Sequence, residues 1–252
     1  LRAATLENNF GGGGFVSAAR GIKGGYTIAN GVVIENATGG SNADFIQGNA
    51  ARNRLDGRAG FDRIIGNEGN DSISGGNGED RLYGNKGNDV ISGGWRDDML
   101  HGGLGNDRLG GGLGDDTIYG SYGNDTITGD VGVDRLVGNS GADRLYGGGG
   151  DDYLSAGAGF DRMAGGSGRD KLFGGAQDDW ISGGPGGDLL SGGRGADTFY
   201  FSSIFHSYDS PAQRDTITDF GRYGDADVIN LRVIDNDRDA IGNGQFDFIG
   251  RG

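Results

Sequence analysis

Eighteen nine-residue units follow one another from Gly39 to Tyr200 without an insertion or a deletion. Each has the form Gly-Gly-x-Gly-x-Asp-x-U-x, where U is a large apolar residue; the nine positions are called slots one to nine below. Gly66-Asn-Glu-Gly-Asn-Asp71-Ser-Ile73-Ser74 and Gly102-Gly-Leu-Gly-Asn-Asp107-Arg-Leu109-Gly110 are clean examples. Slot eight is apolar in all eighteen units, and slot six is Asp in seventeen, Asn53 being the exception. A chain with 59 Gly in 252 residues would ordinarily be read as low-complexity. Random low complexity does not keep a carboxylate and an apolar residue in phase over so long a stretch. A short fixed period of this kind specifies a solenoid.

Within a unit, the first six residues carry turn chemistry and the last three carry strand chemistry. Gly in slots one, two and four is expected to serve left-handed backbone. The x-U-x triplet predicts a short strand with its middle side chain facing inward and its flanks outward. Two units then make one full turn, with turns on opposite edges and a thin apolar seam between two parallel sheets. The expected fold is all-β: a parallel β-roll of about nine turns, roughly 43 Å long at a strand spacing of ~4.8 Å, with a C-terminal β cap. The corresponding division is a lead segment at 1–38, the roll at 39–200 and a capping region at 201–252.

One apolar residue in nine makes a thin core, while ordering the backbone costs about 1 kcal/mol per residue or more. Net hydrogen-bond gains are modest, and the slot-six column stacks like charges one strand apart. A counter-ion is therefore expected to complete the fold. The turns offer carboxylates and backbone carbonyls only, an all-oxygen environment that suits Ca2+. There is no Cys, and the only histidines are His101 and His206, so nothing favours a softer metal. The candidate ligands are the slot-six carboxylates of Asp44, Asp62, Asp71, Asp80, Asp89, Asp98, Asp107, Asp116, Asp125, Asp134, Asp143, Asp152, Asp161, Asp170, Asp179, Asp188 and Asp197. With them go the slot-four glycines Gly60, Gly69, Gly78, Gly87, Gly105, Gly114, Gly123, Gly132, Gly141, Gly150, Gly159, Gly168, Gly186 and Gly195. A site would lie between units i and i+2 on one edge, pairing Asp71 with Asp89 or Asp107 with Asp125, for up to about sixteen ions in two stacks of turns. Weaker sites are expected where the pattern breaks, at Ala51 and Asn53, at Arg96 and at Gln177.

The net charge of −14 comes from this column. Without the seventeen slot-six Asp, nineteen acidic residues face 22 Lys and Arg. No basic stripe exists to attract nucleic acid. No apolar run approaches the eighteen or so residues of a membrane span. Leu1–Phe10 lacks the basic and apolar regions of a secretory signal. The Gly-x-Gly runs precede no helix and are followed by no Gly-Lys-Ser/Thr, so nucleotide binding is not expected. Asp235, Asp237 and Asp239 alternate like the start of an EF-hand, but Ala240 and Phe246 stand where its Gly and closing Glu belong. Slot seven holds eight cations, among them Arg63 above Arg81 and Arg144 above Arg162. They are read first as a solvated sheet face and second as a weak acidic-polysaccharide surface. Slot-nine aromatics such as Tyr83, Tyr119, Tyr146 and Phe173 are read as packing rather than as a sugar platform. His101 and His206 have no third partner for a triad or a metal.

These repeats identify the chain as resembling the RTX, or hemolysin-type, calcium-binding repeat proteins. Segments outside the repeat resemble the C-terminal domain of serralysin-type metalloproteases: Gly25–Gly40, Asn42–Ala50, Ala196–Ser203, Arg214–Phe220 and Asp227–Leu231. The resemblance spans roughly residues 15–252. It implies a calcium-loaded parallel β-roll, secretion by a type I exporter, extracellular localisation and folding outside the cell. No His-Glu-x-x-His occurs in the sequence, so no catalytic residue is assigned and the chain is read as noncatalytic, serving a fused or associated catalytic domain. Set against this resemblance, the capping region is expected to be truncated at Gly252, short of the last strands and secretion signal that such domains usually carry. The roll is longer than a protease usually has, which keeps stand-alone adhesins, membrane-active calcium proteins and alginate R-module-like binders as the alternative; Asp209–Asp215 is similar to the caps of those modules.

Overall fold

In the computed structural model, residues 15–16, 26–27, 36–201 and 214–231 are described. Every regular element among them is a strand, and all pairings are parallel. Strands β1 (Phe15–Val16), β2 (Tyr26–Thr27), β3 (Asn36–Thr38) and β4 (Phe45–Gln47) begin the fold. From β5 (Arg54–Ala59) to β18 (Lys171–Ala176) each strand has six residues and each turn three. The described fold closes with β19 (Trp180–Ser182), β20 (Leu189–Arg194), β21 (Thr198–Tyr200), β22 (Thr216–Ile217) and β23 (Val228–Asn230).

Each strand pairs with the second strand before it and the second after it. The odd-numbered strands make a twelve-stranded sheet and the even-numbered ones an eleven-stranded sheet. The register is eighteen residues throughout the repeat: Leu100 lies between Leu82 and Ile118, and Leu136 between Ile118 and Leu154. Two units per turn follow directly, and the β-roll of about nine turns is the observed architecture.

Strands are longer than the triplet that propensity alone suggests. They run through slots seven, eight and nine and on through slots one, two and three, so only slots four to six form the corner. Burial alternates accordingly, as in β6 (Arg63–Glu68), where Ile64 and Gly66 are buried between less buried neighbours. The core is one column of slot-eight side chains from each sheet, Ile46 to Phe199, nearly all under 5 % exposed. Ala37, Ile217, Ile229 and Leu231 extend it beyond the repeat at both ends.

The three glycine slots do different jobs. From the third unit on, slots two and four have positive φ, as at Gly76 (110°) and Gly78 (147°), with Gly186 the exception. Slot one does not, which corrects the expectation that all three serve left-handed backbone. Its glycine is steric: a Cβ on Gly84 would run into Oδ2 of Asp89, the Asp of its own unit, and sit 2.7 Å from the carbonyl of Gly102 on the next turn. Slot two often accepts Asn or Asp instead, at Asn67 (82°), Asn85 (76°) and Asp130 (76°), residues that tolerate this region best after Gly. Arg96 (77°) and Gln177 (81°) are held in the same left-handed region at slot four.

Candidate metal centre

The two edges of the roll each carry a column of buried carboxylates. Turns that lead into the eleven-stranded sheet form the first edge, with Asp44, Asp62, Asp80, Asp98, Asp116, Asp134, Asp152, Asp170 and Asp188. Turns that lead into the twelve-stranded sheet form the second edge, with Asn53, Asp71, Asp89, Asp107, Asp125, Asp143, Asp161, Asp179 and Asp197. Every one of these from Asn53 onward is at most 3 % exposed. Acidic side chains are almost never buried so completely without a partner.

Half of each carboxylate has one. The backbone N–H of each slot-six residue donates to Oδ1 of the Asp on the next turn. Asp62 N–H donates to Asp80 at 2.7 Å, Asp80 to Asp98 at 2.7 Å, and Asp107 to Asp125 at 2.8 Å. The ladder is unbroken along both edges and pairs the same residues that sequence spacing pairs, Asp71 with Asp89 and Asp107 with Asp125. A second, outer ladder runs the other way through slot five. Asn88 N–H donates to Asn70 at 2.8 Å and Asn106 N–H to Asn88 at 2.7 Å on the second edge, and Asp115 N–H to Asp97 at 2.9 Å on the first.

The other half has none. Oδ2 is buried and without a hydrogen-bond partner in Asp62, Asp71, Asp107, Asp125, Asp197 and every repeat Asp between them. Buried acceptors are normally satisfied, so a repeated orphan oxygen calls for an explanation. Electrostatics agree. Burial pushes Asp62 up to about 7, with Asp80 and Asp44 adding to the rise while the backbone hydrogen bond opposes it. Asp98 and Asp179 are pushed up to about 8 and Asp107 to about 7, again chiefly by burial. A carboxylate in this position gains by taking a proton or a cation. Among the described residues no three His, Cys, Asp or Glu side chains converge on one point. Any cation must therefore draw on backbone carbonyls as well, which suits a hard ion with a flexible oxygen shell.

The comparison with protein families adds the decisive observation. The family model described as RTX calcium-binding nonapeptide repeat (4 copies) matches in overlapping blocks that together run over residues 38–199. The chain belongs to the RTX calcium-binding repeat family. No curated protein matches it closely enough to serve as a relative. RTX repeats bind calcium, and the buried, repeated Asp columns fit that property.

The RTX register also shows where sequence-predicted residues fall out of line. Gly186 is not among the left-handed glycines, unlike its slot-four equivalents Gly168 and Gly195. Pro185 precedes it, and β19 stops at Ser182 instead of running six residues. Proline has no N–H to give to a ladder, so this turn is shaped differently. Asp215 and Asp227 were not in the candidate set, yet they continue the two columns: Asp188 N–H donates to Asp215 at 2.9 Å and Asp197 N–H to Asp227 at 3.0 Å. Their spacings of 27 and 30 residues hid them from an eighteen-residue register. An Asp followed two residues later by a large apolar residue, at Asp215-Thr-Ile217 and Asp227-Val-Ile229, is the signal that could have found them.

On the outer face of the eleven-stranded sheet, His101 lies between Tyr83 and Tyr119, with ring centroids 5.2 and 4.7 Å away and nearly parallel planes. Those three rings stack on one another along the sheet face. Arg63 lies over Phe45 and Tyr83, and Arg135 over Tyr153 at 4.5 Å. Arg63 pairs in register with Arg81, and Arg144 with Arg162. His206 and the Asp235–Asp239 alternation lie outside the described residues. No helix among the described residues is long and apolar enough to cross a membrane.

Proposed function

We propose that this chain is a noncatalytic, calcium-loaded folding module of a secreted bacterial protein exported by a type I system. Its role is to stay unfolded where calcium is scarce and to fold once outside. The observation that carries this reading is the column of buried carboxylates whose second oxygen has no partner in the protein. Bound calcium supplies the countercharge that lets both columns stay ionised inside the roll. The carboxylates named above, with backbone carbonyls of the slot-four turns, hold the ions; the Pro185–Gly186 turn is the weakest of the glycine-bearing ones. Serralysin-like end segments favour a protease as the parent, with the repeat at 39–200 as its carboxy-terminal module.

Circular dichroism of the isolated chain at pH 7 tests the proposal. In chelator the sheet signal is absent, and millimolar calcium restores it cooperatively, as linkage to a multi-ion folded state requires. Magnesium substitutes poorly, because it demands a tighter, near-octahedral shell. An unchanged spectrum in chelator refutes the module's dependence on ions.

A second reading, capture of an acidic polysaccharide, draws on the register pairs Arg63 with Arg81 and Arg144 with Arg162. Exposed ion pairs contribute little individually. Titration of alginate oligomers onto the calcium-loaded chain gives weak, salt-sensitive binding or none under the first reading. Micromolar affinity lost on replacing Arg144 and Arg162 by Ala would establish the second.

A further inference from the structure

The carboxylate columns do not stop where the nonapeptides stop. Asp215 lies 27 residues after Asp188, beyond the end of the family match at residue 199. It nevertheless occupies a slot-six position on a tenth turn. Strand β22 pairs with β20 in the repeat's own register, Thr216 beside Leu189 and Ile217 beside Leu190. Thr216 N–H donates to the carbonyl of Asp188 at 2.7 Å, as Arg63 N–H does to Asp44 at 2.9 Å within the repeat. Asp188 N–H donates to Oδ1 of Asp215 at 2.9 Å.

What remains unpaired is equally regular. Asp188 is 1 % exposed and its Oδ2 has no partner; Oδ2 of Asp215 is buried and has none either. The second edge ends differently. Asp227 takes the slot-six position there, but Gly221 N–H donates to its Oδ2 at 2.6 Å. Asp225 accepts from Gly195 N–H at 3.0 Å, and Asp219 from Gly193 N–H at 3.0 Å and Ser191 Oγ at 2.6 Å. Carboxylates of the cap thus stand in for the carbonyls that a further strand would have offered. The last carboxylate of the second column, Asp227, has a backbone donor on its Oδ2; the last of the first column, Asp215, has none, and neither has Asp188 beside it.

We propose that Asp188 and Asp215 form a further cation site at the C-terminal end of the first edge, outside the nonapeptide repeat, for a hard divalent ion of the calcium class. The ligands are oxygens only, and a buried carboxylate without a hydrogen-bond donor is stabilised by a cation as the repeat carboxylates are. The inference rests on the calcium reading of the repeat, and the test separates the two.

Crystals of the full chain grown with terbium(III) in place of calcium report each site by anomalous density. The expected result is a peak between Asp188 and Asp215 in addition to peaks along the repeat. Asp215→Asn loses that peak, keeps the others and binds about one ion fewer per chain. Asn is a tolerated occupant of this slot, since Asn53 holds it on the second edge, with its backbone N–H donating to Asp71 Oδ1 at 2.7 Å and its side-chain oxygen accepting from Asn49 N–H at 2.8 Å. Retention of the sheet signal in circular dichroism confirms that the variant folds. Peaks along the repeat without one at Asp215 overturn the inference and leave the calcium reading intact, as does an unchanged ion count in the variant. No peak anywhere overturns both.

Discussion

Replacing Asp125 in two ways separates the two halves of a repeat carboxylate. Its Oδ1 accepts the backbone N–H of Asp107 at 2.8 Å, and its Oδ2 is buried without a partner. Asp125→Asn keeps an acceptor for the Asp107 amide and removes the charge. Asp125→Ala removes both and leaves that amide buried and unpaired, because Asp107 and Asp125 are each no more than 1 % exposed. An unsatisfied buried donor costs about 1–3 kcal/mol. Both variants lose the ion that the carboxylate helps to hold, so the Ala variant unfolds at a stability about 1–3 kcal/mol below the Asn variant. Urea unfolding at saturating calcium, followed by circular dichroism, measures the difference; a common slope for the two variants shows that the same surface is exposed in each. Equal stabilities would refute the argument that the amide-to-carboxylate ladder contributes separately from ion binding.

Two further outcomes follow from burial and charge. Leu136→Ala, at a core position 0 % exposed, costs about 2–5 kcal/mol in the calcium-loaded roll, whereas Leu113→Ala, 46 % exposed, stays within about 0.5 kcal/mol; urea titrations compare the two. The pH dependence in chelator has a definite sign. Burial raises the carboxylates above their ordinary value of 3.8, Asp62 to about 7 and Asp98 to about 8, so the folded chain binds more protons than the unfolded one. Stability without calcium is then fully present below about pH 4 and falls as pH rises towards 8. Sheet signal recovered by acidification in chelator checks this, and signal that instead falls towards pH 4 contradicts it.

The repeat register was legible because slot eight and slot six keep strict phase, so Leu136 and Asp125 announce their places without help from neighbours. Strand ends were harder. Propensity marks Gly as turn, yet Gly84 lies inside a strand because its missing Cβ makes room for Asp89. Orientation of the carboxylate was not legible at all: nothing in the spacing says that Oδ1 faces an amide while Oδ2 faces none. Asp215 and Asp227 escaped for a simpler reason, since the chain inserts extra residues before each and rejoins the register only in three dimensions.

The two-strand alternation also sets the step by which such a chain can lengthen. Slot-five residues Asn70, Asn88, Asn106 and Asn124 recur every eighteen residues and belong to one edge, while Asp97 and Asp115 recur at the same interval on the other. Inserting nine residues would keep every glycine in its slot but hand each downstream unit to the opposite edge, bringing the asparagine series against the aspartates. Inserting eighteen leaves both series unbroken. Lengthening by unit pairs, rather than by single units, is thus the step that keeps both slot-five ladders in register.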